Sequence, residues 1–276
     1  MTIKLPKLEN AAPLRAIMFP APNSTYERNL PALFYISKTT RTVTSDATEN
    51  SVPALLISRK GSTRYVVYSH GNATDLGGCV HSLLQYAEKL DANILAYEYP
   101  GYGITQNNQE TPTADGIREN IECAYTFLLN SRVAVENIFF LGRSIGSGPS
   151  CHAALELQKL AVVQHRRVGG LILVSPYTSI QGVACSLVPY LGWFCPYVFH
   201  NADLISRAEM QRVPVLLIHG EQDRVIPVSH SRQLYDTCTS KQKRAIYVEF
   251  VGHNFDETCD EIVAEIVQFL DKDHRE

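Results

Sequence analysis

The sequence of 276 residues predicts an α/β domain with a mostly parallel central sheet and helices on both faces. Short apolar runs alternate with amphipathic stretches of ten or more residues, which is the pattern of parallel strands joined by helices. Strands are expected at residues 31–37, 53–59, 64–69, 93–98, 137–142, 169–174, 213–219 and 244–251. Helices are expected at residues 76–90, 114–130, 145–163, 228–237 and 257–271.

This alternation predicts a single domain over residues 31–276, preceded by an irregular, proline-dotted N-terminal arm at residues 1–30. The pattern is interrupted at about residues 176–212, where a short apolar cap is expected after the sixth strand. Two interpretations of the cap stay open. It can bury its apolar face on the domain, or its side chains can bind an acyl chain or touch a membrane surface. The candidates for the second role are Leu187, Tyr190, Leu191, Trp193 and Phe194.

Composition excludes several classes of protein. A net charge of -3 gives no basic field for nucleic acid. Seven cysteines without a CxxC spacing argue against a zinc site and for a reducing compartment, and no cofactor or metal is predicted. No secretory leader or run of about 18 apolar residues is found. We therefore expect a cytoplasmic protein, with peripheral contact on the cytosolic face of membranes as a further expectation.

Ser144 lies in a Gly-x-Ser-x-Gly pentapeptide, residues 142–146, directly after the apolar run 138–141. In a nucleophile elbow a strand ends in a turn so sharp that the serine backbone is strained and its hydroxyl is exposed above a new helix. The two glycines keep side chains out of that crowded turn. The alternative is a glycine-rich turn with an incidental serine, so the rest of the chain must decide.

Two further candidate catalytic residues each follow a predicted strand, and their order along the chain is informative. Asp223 comes after the strand at 213–219, and His253 comes after the strand at 244–251. The order Ser, Asp, His is that of the α/β-hydrolase fold. Asp223 would orient His253, which would take the proton of Ser144. Alone, Asp223 could be a turn or N-cap residue and His253 an ordinary loop histidine.

The loop after the strand at 64–69 is the predicted source of an oxyanion donor. One backbone N–H should come from Ile145, the residue after the nucleophile, and the other from Asn72, with Ala73 as the fallback. Asp75 is expected to be the N-cap of the following helix. His70 is expected to shape the loop by hydrogen bonding to backbone.

These motifs together resemble the alpha/beta hydrolase domain-containing protein 17 group. The matching stretches are residues 16–26, 70–77, 99–103, 144–146, 175–179, 219–226 and 252–254. Members of the group remove palmitate from cysteines of membrane-associated proteins, so the resemblance implies an acylated protein as substrate. Arg143 stands where glutamine is usual in the group.

The leading functional hypothesis is a serine hydrolase that cleaves acyl thioesters or esters, with protein S-depalmitoylation as its most specific form. The alternatives are a carboxylesterase or lipase acting on a small acyl ester, and a prolyl-oligopeptidase-type serine peptidase. A different class is a pseudo-hydrolase that binds lipid or protein through the cap while its triad stays idle.

Overall fold

A computed structural model describes residues 12–45, 47–108, 110–187 and 198–272. Its strands are β1 Leu33–Ser37, β2 Val43–Thr44, β3 Ser51–Ile57, β4 Tyr65–Ser69, β5 Asn93–Tyr97, β6 Ile138–Arg143, β7 Gly170–Val174, β8 Val215–Gly220 and β9 Lys243–Val248. Its helices are α1 Ala12–Met18, α2 Leu76–Lys89, α3 Ala114–Asn130, α4 Ser147–Val163, α5 Ile180–Leu187, α6 Asn201–Ile205, α7 Ser229–Thr237 and α8 Asp260–Lys272.

The strands form one sheet in the order β2-β1-β3-β5-β4-β6-β7-β8-β9. β1, β2 and β3 pair antiparallel, β3 also pairs antiparallel with β5, and every pairing from β5 through β4 to β9 is parallel. The predicted mostly parallel sheet of an α/β-hydrolase fold is therefore confirmed. Because parallel strands point the same way, the ends of β4, β6, β8 and β9 lie along one edge of the sheet.

Two apolar cores cover the faces of the sheet. Successive side chains of a strand point to opposite faces, so Phe140 joins the core under α3 and α4 while Phe139 joins the core under α2 and α8. Both phenylalanines are fully buried. This two-sided burial explains why the central strands consist of continuous apolar runs rather than alternating ones.

Several predicted boundaries need correction. The short strand β2 was not predicted, so the cap region follows the seventh strand of the sheet, not the sixth. The arm predicted to be irregular contains helix α1, and Met18 and Phe19 at its end are buried in the core. Helix α8 begins at Asp260 rather than residue 257, because the Asp256 carboxylate accepts from the backbone N–H of Thr258 at 2.9 Å and holds a turn there.

The predicted cap region contributes helices α5 and α6. His230 of α7 ties α5 to the domain, since its Nδ1 lies 2.9 Å from Thr178 Oγ1 and its Nε2 lies 3.1 Å from Ser186 Oγ. Four of the proposed acyl-binding residues, Tyr190, Leu191, Trp193 and Phe194, lie outside the described residues, and the Leu187 side chain is also outside the description.

Within the four described ranges, none of the helices combines the length and the apolar character that crossing a bilayer requires.

Candidate active site

The turn after β6 has the geometry of a nucleophile elbow. β6 ends at Arg143, and Ser144 has a φ of 53°, in the left-handed region that a residue with a side chain seldom adopts. A single 3₁₀ turn, Ser144–Gly146, leads from there into α4. A Cβ on Gly146 would collide with the carbonyl oxygen of Ser69. The elbow is thus pressed against the end of β4, and only glycine fits at its closest point.

The structure brings Ser144, His253 and Asp223 together at the edge of the sheet. His253 Nε2 lies 3.0 Å from Ser144 Oγ, and His253 Nδ1 lies 2.7 Å from Asp223 Oδ2. Ser144 follows β6, Asp223 follows β8 and His253 follows β9, so three strands of the parallel half of the sheet bring the three side chains together. A serine hydroxyl bonded to a histidine that is itself held by a carboxylate can support nucleophilic acyl transfer.

Asp223 is held by more partners than His253. Its Oδ1 accepts from the backbone N–H groups of Val225 and Ile226, both at 2.8 Å, and its Oδ2 lies 3.2 Å from His219 Nε2. Burial by itself would raise the pKa of Asp223, but the hydrogen bonds from His219, His253 and Ile226 hold that pKa well below its usual range. Asp223 is therefore a carboxylate at neutral pH.

His219 is a site residue that sequence reasoning missed. Its side chain is fully buried, with Nδ1 2.7 Å from Ser231 Oγ and Nε2 2.8 Å from the carbonyl oxygen of Ile226. The serine hydroxyl can donate to Nδ1, which leaves a proton on Nε2 for Ile226 O and for Asp223. The sequence feature that could have indicated a role for His219 is its position at the end of β8, four residues before Asp223.

The loop after β4 lies against the elbow. A Cβ on Gly71 would be 3.9 Å from Ser144 Cβ, which places the loop beside the serine. The Asn72 side chain is fixed at both ends, because its Nδ2 donates to Met18 O at 2.8 Å and its Oδ1 accepts from Tyr102 O–H at 2.6 Å. Ala73 has a φ of 57°, so the chain turns sharply after Asn72. Ile145, on the other side of the serine, is buried.

Two fully buried carboxylates support this loop. Asp75 is the N-cap of α2, as predicted, and accepts from Gly78 N at 2.9 Å. His70 contacts Gly71 O at 2.8 Å through Nδ1 and Glu98 Oε1 at 3.1 Å through Nε2. Glu98 was not predicted as a site residue, because nothing local distinguishes a glutamate at the end of β5 from a surface one.

Arg143 connects the elbow to the loop that carries His253. Its Nε lies 2.8 Å from Glu257 Oε2, and its Nη2 lies 3.4 Å from the carbonyl oxygen of His253. Glu257 is buried, and its Oε1 accepts from Tyr68 O–H at 3.0 Å. Burial raises the pKa of Glu257, and the opposing effects of Arg143 and Tyr68 offset this only in part. The arginine is thus bound to a carboxylate that costs free energy to keep charged.

A cavity of about 250 Å³ opens between the loop after β4 and the loop that carries His253. Its walls include Gly71 and Asn72 on one side and Phe255 and Glu257 on the other, with Arg143 between them. Among the described residues, no three or more His, Cys, Asp or Glu side chains come together in a way that could hold a metal ion.

The chain was compared with known families, proteins and structures. A family model described as serine aminopeptidase, S33 matches residues 189–256. Alpha/beta hydrolase domain-containing protein 17B of Homo sapiens is 30% identical over 227 residues, covering 81% of this chain and 72% of that protein. A protein of Acanthamoeba polyphaga mimivirus named as an alpha/beta hydrolase is 31% identical over 214 residues, covering 75% of this chain and 74% of that protein.

The fold has solved counterparts. A soluble variant of monoglyceride lipase from Saccharomyces cerevisiae superposes with a TM-score of 0.61 at 14% identity, over 90% of this chain and 97% of that chain. That likeness supports the fold, and the sequence relatives give the family. The chain belongs to the alpha/beta hydrolase domain-containing protein 17 family, and it is a serine hydrolase.

Proposed function

We propose that this enzyme hydrolyses acyl thioesters or esters with Ser144 as nucleophile, His253 as general base and Asp223 as the group that orients the histidine. The observation that carries the proposal is the continuous chain of hydrogen bonds from Asp223 Oδ2 through His253 to Ser144 Oγ. Removal of the hydroxyl proton by His253 Nε2 would let Oγ attack the acyl carbonyl. His253 would then return that proton to the leaving group.

The tetrahedral intermediate needs donors for its new oxyanion. We assign these to the backbone N–H groups of Ile145 and Asn72, with Ala73 as the alternative to Asn72. The closeness of Gly71 to the Ser144 side chain supports a donor from this loop. Asn72 is favoured over Ala73 because both ends of its side chain are hydrogen-bonded, which fixes the peptide unit on which its N–H lies.

Protein S-depalmitoylation is the most specific form of the proposal. It is supported by membership of the family and by the apolar sequence of the cap region at residues 183–199. A palmitoyl chain that leaves water could contribute up to about 10 kcal/mol, at roughly 0.8 kcal/mol per methylene. A cysteine thiolate is a good leaving group because thiols have a pKa of about 8.5, so attack of water on the acyl-enzyme would limit turnover. We therefore expect a pre-steady-state burst of thiol release.

The deciding experiment compares wild type with Ser144→Ala on a palmitoyl-cysteine peptide, a short-chain ester and an aminoacyl anilide. Ser150→Ala is the matched control, because Ser150 is also buried in the same region and its Oγ donates to Ser69 Oγ at 3.0 Å. We expect the palmitoyl thioester to be preferred, Ser144→Ala to be inactive, and a fluorophosphonate probe to label wild type and Ser150→Ala but not Ser144→Ala.

The other outcomes separate the alternatives. Turnover of only the short ester would keep the serine mechanism and refute depalmitoylation. Turnover of the anilide would favour a peptidase, the activity named by the family model that matches residues 189–256. Activity that survives in Ser144→Ala would refute the proposed nucleophile.

A further inference from the structure

We propose that residues 18–26 of the N-terminal arm contribute to catalysis, with Tyr26 and Thr25 acting as positioning residues for the oxyanion loop, residues 70–76 after β4. The inference rests on the proposed role of the Asn72 N–H as an oxyanion donor. It assigns a catalytic consequence to a segment that precedes the first strand of the sheet and contains none of the proposed catalytic groups.

Glu98 is the first of two buried carboxylates that join the arm to the loop. It is fully buried at the end of β5. Its Oε2 accepts from Tyr26 O–H at 2.8 Å and from the backbone N–H of Leu76 at 3.1 Å, while its Oε1 contacts His70 Nε2 at 3.1 Å. A buried carboxylate that loses one of its donors is costly, so these partners are held together as a group. The Glu98 side chain therefore contacts the arm through Tyr26 and the two ends of the oxyanion loop through His70 and Leu76.

Asp75 makes the second connection. Its Oδ2 accepts from the backbone N–H of Thr25 at 2.7 Å, and its Oδ1 accepts from the Thr25 hydroxyl as well as from Gly78 N. The same carboxylate therefore caps α2 and binds the arm. The packing is close, because a Cβ on Gly77 would lie 2.8 Å from Tyr26 Cβ.

The third connection reaches the proposed donor residue itself. The carbonyl oxygen of Met18 accepts from Asn72 Nδ2 at 2.8 Å. Tyr102 O–H donates to the other end of the same amide at 2.6 Å. Met18, Thr25 and Tyr26 thus hold the loop at three separated points, and Met18 and Tyr26 are themselves buried. A loop held in this way keeps its N–H aimed at the position where charge develops, without reorganisation during the reaction.

The test is a Tyr26→Phe variant, which keeps the ring and removes the hydroxyl that donates to Glu98. Tyr125→Phe is the matched control, since Tyr125 is comparably buried on α3 and packs edge-on against Phe140. Thr25→Ala, with Thr25→Ser as its conservative rescue, tests the Asp75 connection independently. The concentration of enzyme with a reactive serine is measured for each variant with a fluorophosphonate probe, and kcat is calculated from that concentration rather than from total protein.

We expect Tyr26→Phe and Thr25→Ala each to lower kcat about 10-fold, less than the roughly 100-fold or more that follows complete loss of an oxyanion donor. KM should change less than about two-fold, because the ground-state carbonyl gains little from the donor. Binding of an alkyl trifluoromethyl ketone, which forms a tetrahedral adduct with the serine, should weaken by the same factor as kcat. Thr25→Ser and Tyr125→Phe should match wild type in all three measurements.

The inference is overturned if the activity of a variant falls only in proportion to the amount of enzyme whose serine reacts with the fluorophosphonate probe. It is also overturned if the affinity for the trifluoromethyl ketone is unchanged while kcat falls. It is also overturned if Tyr26→Phe and Thr25→Ala behave as Tyr125→Phe does. A wild-type enzyme that neither reacts with the probe nor binds the ketone would refute the proposed serine mechanism, and the inference with it. The wild-type measurements alone separate that failure from a failure of the arm.

Discussion

Asp223 is the residue around which the site is organised, because its two oxygens meet two histidine rings and two backbone N–H groups. The Asp223→Asn variant keeps this shape and removes the charge. An amide can donate to His253 Nδ1 and so favour the tautomer that cannot take the serine proton, and we expect kcat to fall about 10⁴-fold. Steady-state kinetics at neutral pH check this, and KM should change little. A loss below about 10-fold would show that Asp223 does not set the tautomer.

The pair formed by Arg143 and Glu257 makes a separate prediction. Arg143→Met leaves Glu257 buried without its cation, and we expect unfolding free energy to fall by about 3 kcal/mol at neutral pH. Because the pKa of Glu257 is already raised by burial, removal of the cation raises it further. A raised carboxyl pKa destabilises the fold as pH rises through the folded-state pKa, so the loss should be larger at about pH 8 than at about pH 5. Urea unfolding at the two pH values measures it.

Controls separate the pair from general effects of losing an arginine. Arg59→Met breaks the exposed pair with Asp91, in which the two side chains are 42% and 71% exposed, and should cost less than about 1 kcal/mol at either pH. The double variant Arg143→Met/Glu257→Gln should recover most of the stability that Arg143→Met loses, since no buried charge remains. Equal losses at both pH values in Arg143→Met would show that the arginine acts through packing alone.

Candidate site residues that directly follow strands could be selected from the sequence. Residues whose importance comes from partners distant in the chain could not. Ser144, Asp223 and His253 each follow an apolar run, so local pattern and chain order were enough to select them. Glu257 and Glu98 are glutamates in unremarkable local sequence. Their burial depends on an arginine or a tyrosine far away in the chain, and a single sequence does not show that pairing.

At the scale of elements, the elbow depends on how closely β4, β6 and α4 approach one another. A Cβ on Gly146 would collide with backbone, whereas one on Gly252 would lie in ordinary van der Waals contact with Gln222 O at 3.6 Å. Both glycines lie within two residues of a proposed catalytic side chain. Gly146→Ala should therefore lower unfolding free energy by about 3 kcal/mol and abolish activity, while Gly252→Ala should be tolerated. Thermal unfolding and activity of both variants test this, and a fully active Gly146→Ala would contradict the geometry.

Element ends were predicted less well than element types. The sequence indicated helices where α2, α3, α4 and α7 occur, and α2 and α3 each bury a sustained apolar face. It did not indicate α1, whose seven residues include a proline and which is held by burial of Met18 and Phe19 at its end rather than by its own propensity. Tertiary packing decides short elements of this kind.

At the scale of the whole molecule, the parallel half of the sheet brings to one edge groups that lie far apart in the chain. The ends of β4, β6, β8 and β9 carry, in spatial order, the loop of Gly71 and Asn72, then Ser144, Asp223 and His253. Ligands of open α/β sheets bind beyond the carboxyl ends of the strands for this reason. The buried carboxylates Asp75 and Glu98 then join the loop after β4 to the N-terminal arm through hydrogen bonds to Thr25 and Tyr26.

Two carboxylates with opposite pKa shifts give the molecule a testable acid response. The pKa of Asp223 is lowered in the fold, so the stability it contributes is complete above the unfolded value of about 4 and is lost as pH falls through the folded value. Glu257 has a raised pKa, so its contribution grows as pH falls and is lost as pH rises. Between about pH 6 and pH 3, Asp223→Asn should therefore lose less unfolding free energy than wild type, and Glu257→Gln should lose more. Chemical unfolding of wild type, Asp223→Asn and Glu257→Gln across this range measures how the unfolding free energy of each changes with pH. The same change in all three proteins would show that neither carboxylate governs acid stability.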